Sequence, residues 1–324
     1  MKRFIRDITY DSGKLRSLYV IIAKLKARLL FRLVSDKKYL EMKHIENTGV
    51  PLNIDNPKTF DEKLAWIKLY YYNDLMTKCA DKILVREYLL SLGLGNILIP
   101  SLGVYDEPGL IDFDYFLGDE VFIKCNHSSG GNILYKAENH QPTNKIISLL
   151  KRELRQNYYK YGREKCYKDI PPRIIVERVL RNDDGSLPND YKFFCFMGDP
   201  KLLFYYENTC LENGMHTPRK FRKCGIYDRQ GKNVNMQGNF TKISGDLDLP
   251  NAILSEMVDI SKKLSAPFPF CRVDLYFIKN SIYFGEITFF PGGGNNHFEP
   301  TDWMNVMGDW IRLNEIPERF IIKE

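Results

Sequence analysis

The sequence predicts an α+β protein built on antiparallel β-hairpins, and three observations support this class. Residues 272–286 and 121–136 each contain two runs of alternating apolar residues around a short turn, which is typical of a hairpin. A third pair of apolar runs spans residues 190–206. Helical start and stop signals fall between these hairpins, at Thr59 and over residues 77–92, 143–157 and 250–265.

Composition and charge limit the class of protein further. The chain has 324 residues, enough for a large core and two or three subdomains. Its net charge is +6, and residues 1–35 hold nine Lys or Arg against two Asp. The seven cysteines form no CxxC pair and lie mostly in apolar runs. They indicate buried free thiols in a reducing cytoplasm, with neither zinc nor disulfides implied.

Residues 14–34 form a basic, apolar helix candidate. Four Lys or Arg interrupt its apolar stretch, so it does not fit a membrane span, and no signal peptide is expected. Two interpretations are open: an anchor on an anionic membrane surface, or a helix packed on the protein body or a partner. Apolar residues nearly encircle the axis, which favours packing. The basic, tyrosine-rich segment 158–169 is short and contains two acidic residues, so nucleic-acid binding is not expected.

The hairpin at 272–286 brings two carboxylates together if its turn has three residues. A three-residue turn, 279–281, sets Asp274 opposite Glu286, with Asn280 or Ser281 in the left-handed conformation; a two-residue turn would send the two carboxylates to opposite faces. We expect the three-residue turn. Facing carboxylates at roughly 4–5 Å repel by about 3–4 kcal/mol at an effective dielectric near 20. Mg²⁺, which prefers oxygen ligands, would remove that repulsion. The alternative is that Arg272 pairs with Asp274 while Glu286 faces water.

A lysine and a small-residue turn mark the second informative hairpin. Lys124 alternates with apolar residues in a strand predicted to be covered on both faces, where a charge is costly unless an anion meets it. The turn at 128–131 exposes backbone N–H groups to an anion, although it is not a Walker A loop. The alternative is an ordinary hairpin with a surface lysine. Lys82 and Arg86 lie four residues apart on one face of a predicted helix. They could bind a phosphate or form a charged edge exposed to solvent, and on their own they favour the solvated edge.

The order of these features resembles the ATP-grasp superfamily. More narrowly, six motifs resemble the TupA-like (teichuronopeptide-biosynthesis) ATP-grasp family of cell-surface polysaccharide loci: NPKTFDEKLAW, DK-x₃-R-E-Y, FIKCNHSSGG, DYKFFCF, PFPFCRVDLY and YFGEITFFPGGG. The resemblance covers about residues 40–312. It implies two α+β lobes whose antiparallel sheets clamp ATP, preceded by a helical N-terminal segment. The expected units are residues 1–55 (basic helical segment), 56–118 (first part of the body), 119–180 (small clamping lobe) and 181–324 (lobe with the metal site).

The resemblance also implies site residues. Those expected to contact ATP are Lys82, Lys124, Ser128, Ser129, Gly130, Gly131, Glu177, Val179, Asp184 and Lys192. Within that set, Ser128 to Gly131 would cover the γ-phosphate, Glu177 and the Val179 backbone would meet adenine, and Asp184 would bind the ribose.

Catalytic and metal-binding roles follow from the same resemblance. Lys124 and Arg272 are the expected catalytic residues, with Arg272 steadying the transferred phosphoryl group. Asp274, Glu286 and Thr288 are the expected Mg²⁺ ligands. Many members carry Asn where this chain has Thr288, so a second metal ion would be held partly by water or be absent.

The expected activity is ATP-dependent ligation of a carboxylate to an amine through an acyl-phosphate, in the cytoplasm. The resemblance suggests a sugar acid, such as a uronic acid, and an amino acid or small amine as substrates, in the biosynthesis of a capsule or other surface polysaccharide. Residues 14–34 would contact the inner membrane face or capsule-assembly proteins. Alternatives are a phosphotransferase or glycosyltransferase of the same pathway, or a non-catalytic assembly adaptor.

Overall fold

The computed structural model describes residues 22, 29, 31–128, 132–139, 142–207, 209–211, 217 and 221–322. Its strands are β1 Ser101–Tyr105, β2 Glu120–Cys125, β3 Ile133–Lys136, β4 Ile174–Arg178, β5 Asp190–Phe196, β6 Asp199–Glu207, β7 Lys223–Tyr227, β8 Thr241–Lys242, β9 Phe270–Ile278 and β10 Ser281–Thr288. Its helices are α1 Asp36–Thr48, α2 Phe60–Tyr70, α3 Asp74–Ala80, α4 Val85–Ser91, α5 Thr143–Leu154, α6 Tyr159–Gly162, α7 Asn251–Ser265 and α8 Asp302–Asp309.

The smaller sheet has four antiparallel strands in the order β1-β4-β2-β3. Alternation in β2 buries Val121 and Ile123 in a core that α5 covers with Ile146 and Leu150. The other face of β2, which carries Lys124, is half-buried. The predicted hairpin is therefore present, but one face of its first strand is open rather than fully covered.

The larger sheet has six strands in the order β10-β9-β5-β6-β7-β8, all antiparallel except the β7–β8 pair. Helix α7 and an aromatic cluster around Phe60, which is fully buried, pack against this sheet. The ring of Phe60 lies 5.0 Å from that of Phe270 and 5.8 Å from that of Phe196, measured between centroids. Burying such rings contributes most of the packing energy of a core. This aromatic packing fixes the positions of β5 and β9, the strands that carry Lys192, Arg272 and Asp274.

The hairpin of β9 and β10 has a shorter turn than the sequence analysis predicted. Lys279 and Asn280 form a two-residue turn with φ of 50° and 59°, and Ile278 pairs with Ser281. Two positive φ values give a turn whose twist matches that of the strands, which explains the preference for it. A bulge at Gly285 then shifts the register by one residue, so Asp274 still faces Glu286. The predicted three-residue turn is wrong, but the predicted pairing of the carboxylates is confirmed.

The helix predicted over residues 77–92 is divided into α3 and α4 by a turn. The carboxylate of Asp81 accepts hydrogen bonds from the backbone N–H groups of Ile83 (2.7 Å) and Leu84 (3.2 Å). Its other oxygen accepts one from the side-chain amide of Asn126, at 2.9 Å, at the end of β2. A side chain that binds its own backbone competes with helix formation, and this one is also held by a neighbouring strand. The break turns Lys82 towards the smaller sheet.

A capped helix and a glycine turn pack together beside the larger sheet. Helix α2 begins with the predicted capping box of Thr59 and Glu62. From its buried face, Lys68 donates hydrogen bonds to the carbonyls of Gly162 (2.9 Å) and Gly293 (2.8 Å). Gly293 belongs to the turn 291–294 that follows β10, in which three glycines have positive φ. Lys68 thereby ties this turn to the helix.

Several predictions from the N-terminus and the domain division lie beyond these observations. Of residues 14–34, all but 22, 29 and 31–34 lie outside the described residues, so both interpretations of that segment remain open. Among the helices described, none combines the length and apolarity needed to cross a bilayer. Six of the seven cysteines are buried free thiols, and the seventh, Cys210, is half-buried. The expected boundaries of the four units stay predictions.

Candidate functional site

Arg272 joins the two facing carboxylates of the β9–β10 hairpin. Its guanidinium donates to both oxygens of Asp274, from Nε at 2.6 Å and from Nη2 at 2.7 Å. The same Nη2 donates to Glu286 at 2.8 Å and to the Thr288 hydroxyl at 3.1 Å. The planar fork of an arginine suits such a two-pronged contact, and a lysine would not reproduce it. Asp274 is buried while the Glu286 side chain is 43% exposed, so the alternative in which Arg272 pairs with Asp274 is also partly realised.

Lys192 on β5 extends this cluster across the sheet. Lys192 lies opposite Asp274 in the β5–β9 register, and its ammonium donates to Asp274 at 2.6 Å and to Asp190 at 2.7 Å. The second oxygen of Asp190 accepts a hydrogen bond from Thr209. Buried charges persist when each is paired and hydrogen-bonded. Asp190 thus holds Lys192 in place, and Thr209 holds Asp190.

The charges of this cluster shift one another's pKa values. Burial disfavours the charge of Glu286, but Arg272, Lys82 and Lys192 outweigh it and lower the pKa of Glu286 to about 2. Burial raises the pKa of Asp274, against the opposing effect of Arg272 and Lys192. For Lys192, burial is outweighed by the nearby Asp190 and Asp274, which raise its pKa. Glu286 therefore stays ionised over the whole physiological range.

A second charged cluster lies on the smaller sheet. Lys124 on β2 donates to Glu177 on the neighbouring strand β4 at 2.7 Å. Arg86 on α4 lies 3.6 Å from the other oxygen of Glu177 and donates to the Ile99 carbonyl at 2.9 Å. The solvated-edge interpretation of Lys82 and Arg86 is therefore wrong. Arg86 pairs with a site carboxylate, and the Lys82 ammonium donates to the Ser128 carbonyl.

Lys82 connects the two clusters electrostatically. Burial lowers its pKa, whereas Glu286 on the larger sheet and Glu177 on the smaller sheet both raise it, and Lys124 lowers it. Such effects require charges a few ångströms to about ten ångströms apart. Tyr276 on β9 is half-buried, and burial raises its pKa, as do Asp190, Asp274 and Glu286 on the larger sheet and Glu177 on the smaller sheet. Charges from both sheets therefore act on Lys82 and on Tyr276.

The donor chemistry of the hairpin fits a hard divalent cation. Asp274, Glu286 and Thr288 present only oxygen atoms, which are the ligands that Mg²⁺ selects. Thr288 donates to Glu286 at 3.0 Å, so the hydroxyl and the carboxylate lie side by side. No cluster of three or more His, Cys, Asp or Glu suited to a metal occurs within the described ranges. A bound cation would therefore need oxygens from a ligand or from water to complete its coordination.

Some predicted contacts fall outside the described residues or are engaged elsewhere. Ser129, Gly130 and Gly131 lie outside the residues that the structure describes, so the phosphate loop stays a prediction beyond Ser128. The Val179 N–H donates to the Glu120 carbonyl at 3.2 Å, which leaves the Val179 carbonyl for a base. Asp184 is exposed and accepts hydrogen bonds from the N–H (2.9 Å) and hydroxyl (2.6 Å) of Ser186 within its own turn. Its expected ribose contact is untested.

The sequence analysis did not predict three residues that lie in or beside the two charged clusters: Arg86, Asp190 and Tyr276. Asp190 lies two residues before Lys192 and Tyr276 two residues after Asp274, so each shares a strand face with a residue that was predicted. That spacing was the available signal. For Arg86 the signal was its i, i+4 spacing from Lys82. That spacing does not show the helix break at Asp81, where Asn126 donates to the Asp81 carboxylate, nor the contact of Arg86 with Glu177.

Two sheets of mainly antiparallel strands, each carrying a charged cluster, are the architecture of an ATP-grasp protein. The sequence matches the TupA-like ATP-grasp family over residues 62–312, which is more than half of the chain. The chain therefore belongs to the TupA-like ATP-grasp family, which confirms the predicted α+β ATP-grasp fold and the predicted family. No curated protein gives a significant match to the sequence.

Solved structures show distant similarity. D-alanine–D-alanine ligase from Bacillus anthracis complexed with ATP is 13% identical, with a TM-score of 0.38 over 65% of this chain and 56% of that chain. D-alanine–D-alanine ligase from Helicobacter pylori is 13% identical, with a TM-score of 0.41 over 80% of this chain and 68% of that one. Phosphoribosylamine–glycine ligase from Thermotoga maritima is 11% identical, with a TM-score of 0.41 over 68% and 50%. The chain spans less than two thirds of the first structures' length.

Proposed function

We propose that the protein is an ATP-dependent ligase that joins a carboxylate to an amine and forms a carbon–nitrogen bond. The ATP-grasp family assignment supports this class. The observation that carries the proposal is the pair of charged clusters, Arg272 and Lys192 around Asp274 on one sheet and Lys124 on Glu177 on the other. Because Lys82 is influenced by Glu286 from one cluster and by Glu177 and Lys124 from the other, we propose that both line one cleft. Cationic side chains from both sheets around buried carboxylates suit a triphosphate, whose transfer depends mainly on positioning and electrostatic stabilisation.

The reaction proceeds in two displacements. A carboxylate oxygen of the acceptor attacks the γ-phosphorus, the bond to the β,γ-bridging oxygen breaks, and ADP leaves. The amine nitrogen then attacks the acyl carbon, inorganic phosphate leaves with the bonding electrons, and the nitrogen loses a proton. Lys82 and Lys124 bind the phosphates from the smaller sheet. Arg272, fixed by Asp274, places its charge beside the transferring group, where oriented charges act most strongly.

Mg²⁺ would be held by Asp274, Glu286 and Thr288, and when bound it would neutralise charge on the phosphate oxygens. Glu286 is suited to this role because it is ionised down to about pH 2 and partly exposed. Glu177 and the Val179 carbonyl remain the proposed adenine contacts, and Asp184 the proposed ribose contact.

The proposed substrates are a sugar acid, such as a uronic acid, and an amino acid or small amine, in the biosynthesis of a capsule or other cell-surface polysaccharide. Family membership supports this context. The proposed site of action is the cytoplasm, with contact to the inner membrane face or to capsule-assembly proteins through residues 14–34.

The direct test is ADP release by the full chain with Mg·ATP, a panel of uronic acids and a panel of amino acids and small amines. We expect release that requires both a carboxylate and an amine, together with a product whose mass equals the sum of the two substrates minus water. Lys124→Ala should lower turnover by at least about a hundredfold, since it removes a phosphate-binding charge. Lys201→Ala, which removes a lysine paired with Asp199 on β6, is the matched control and should leave turnover unchanged.

Other outcomes would contradict the ligase proposal. Phosphate retained on the product would indicate a phosphotransferase, and sugar transfer from a nucleotide-sugar would indicate a glycosyltransferase. Calorimetry that detects no Mg·ATP binding sensitive to Lys124→Ala would favour the non-catalytic adaptor.

A further inference from the structure

A cavity on the outer side of helix α2 is lined by residues that the proposed ATP cleft does not use. Its volume is about 500 Å³, within the range of roughly 300–1,000 Å³ that small-molecule sites occupy. One wall comes from the NPKTFDEKLAW motif, through Asn56, Lys63 and Trp66. The facing wall follows α8 and includes Asp309 and Asn314. The cavity thus explains the exposed residues of a motif whose buried residues serve the core.

The periodicity of α2 separates these two roles. Phe60, Leu64 and Ile67 point into the core, whereas Lys63 and Trp66, three residues apart, share the face that lines the cavity. Trp66 packs partly against the core, and its ring lies 5.5 Å from that of Tyr70. A large aromatic surface is therefore held in place at the cavity wall. Tryptophan combines an apolar ring with a polar N–H, which suits ligands that are apolar on one face and hydroxylated at the edge.

The polar groups of the cavity divide into engaged cations and uncommitted carboxylates and amides. Lys63 donates to the Ile311 carbonyl at 2.8 Å, and Arg312 donates to Glu315 at 2.5 Å. Within the described part of the chain, by contrast, the exposed side chains of four lining residues form no hydrogen bond or salt bridge: Asp55, Asn56, Asp309 and Asn314. The charge of Asp309 nevertheless acts on Lys63.

These uncommitted groups select a ligand by its hydrogen bonding. Carboxylates accept hydrogen bonds only, and amides both donate and accept, so a ligand rich in hydroxyl groups satisfies them. The carboxylates of Asp55 and Asp309 disfavour an anion, and the adjacent Lys63 and Arg312 disfavour a cation. An aromatic surface beside such a polar set fits an uncharged sugar. We infer that this cavity is a saccharide-binding site that takes a neutral sugar unit.

The site has a defined place in the molecule. The same helix that presents Trp66 to the cavity holds the glycine turn 291–294 through Lys68 on its opposite face. On the proposed ligase function, the neutral sugar would belong to the saccharide chain whose acid unit reacts in the cleft. Binding itself requires neither ATP nor the ligase reaction.

The test is binding of neutral tetrasaccharides to the full chain without nucleotide. Saturation-transfer NMR would be run with tetrasaccharides of glucose, of galactose and of N-acetylglucosamine, and dissociation constants would be measured by titration. We expect at least one to bind, and Trp66→Ala to weaken that binding by about tenfold or more, as expected for a central aromatic anchor. Trp66→Phe should retain part of the affinity. Asn314→Ala should weaken binding severalfold, whereas Asn305→Ala, an exposed change on α8 outside the cavity, should leave it within twofold.

Two results would overturn the inference. One is the absence of binding by all three sugars, and the other is binding that Trp66→Ala leaves unchanged while circular dichroism shows that the variant is folded. Failure of the ligase proposal is separate, because it is read from ADP release with small acids and amines. Saccharide binding lost in Trp66→Ala alongside no ligase activity would uphold this site and reject the reaction. Ligase activity without saccharide binding would do the reverse.

Discussion

The ion pair between Arg272 and Asp274 should be strongly coupled in folding. The perturbation is a double-mutant cycle of Arg272→Met, Asp274→Leu and the variant carrying both. Arg272 donates to both oxygens of Asp274 at 2.6 and 2.7 Å, and the Asp274 side chain is only 2% exposed. Either single change therefore leaves a buried charge without its main partner, while the double change removes both charges.

The expected magnitudes follow from the cost of an unpaired buried charge. Removing one partner of a buried pair costs about 3–5 kcal/mol. Lys192 still contacts Asp274 at 2.6 Å, and Glu286 is partly exposed, so we expect about 3 kcal/mol for each single variant. The double variant should lose about 3 kcal/mol or less rather than the sum of about 6, which gives a coupling of about 3 kcal/mol.

The assay is urea unfolding at pH 7, followed by circular dichroism, with the free energy of unfolding compared across the cycle. A parallel cycle on the exposed pair Lys232–Asp246, whose side chains are 70% and 53% exposed, is the control and should show no measurable coupling. If the double Arg272/Asp274 variant lost as much stability as both single variants added together, the two side chains would not be coupled in folding, and the prediction would be wrong.

Three further changes test other parts of the structure. Because the pKa of Glu286 is lowered to about 2, its ionised form stabilises the fold above about pH 4.5, and this contribution is lost as the pH falls towards 2. The difference in urea midpoint between wild type and Glu286→Gln should therefore shrink as the pH falls over that range. A difference that stays constant would contradict the prediction. Gly285→Ala would place a Cβ 3.1 Å from the Asp274 carbonyl oxygen, so it should lower the free energy of unfolding by about 1–3 kcal/mol. Gly109→Ala is the control, because nothing lies within 4 Å of its Cβ, and it should change the free energy of unfolding little. Equal losses in the two variants would contradict the prediction. Lys68→Met removes the hydrogen bond to Gly293, so hydrogen exchange in the turn 291–294 should accelerate while β7 stays protected; unchanged exchange in the turn would show that Lys68 does not restrain it.

The facing carboxylates were predictable because strand parity is a local property. Alternation alone placed Asp274 and Glu286 on one face once their pairing was assumed. The route to that pairing was wrong, since the turn has two residues and a bulge restores the register. Apolar patterning does not distinguish a longer turn from a shorter turn plus a bulge. The glycine at 285 was the available signal, because glycine within a strand often marks a bulge.

The surroundings of Lys82 and Lys192 were beyond local prediction. The break in the predicted helix at Asp81 depends on Asn126, 45 residues further along the chain. The contact of Lys192 with Asp274 joins strands 82 residues apart. Helical periodicity and strand alternation report on neighbours within a few residues, so they identify candidate charges without showing which of them meet.

The bulge at Gly285 divides the β9–β10 hairpin into two stretches whose registers differ by one residue. Between Gly285 and the tip, the pairing is the one that the two-residue turn sets, as in Phe284 with Leu275. Beyond Gly285 the register is shifted by one residue, and Glu286 pairs with Asp274. Because Phe284 already pairs with Leu275, deleting Gly285 would remove the bulge and still leave Asp274 opposite Glu286, with the two-residue tip unchanged. What the extra residue changes is the path of β10, since a bulge bends its strand and increases the local twist, and the acidic pair lies directly beyond that bend.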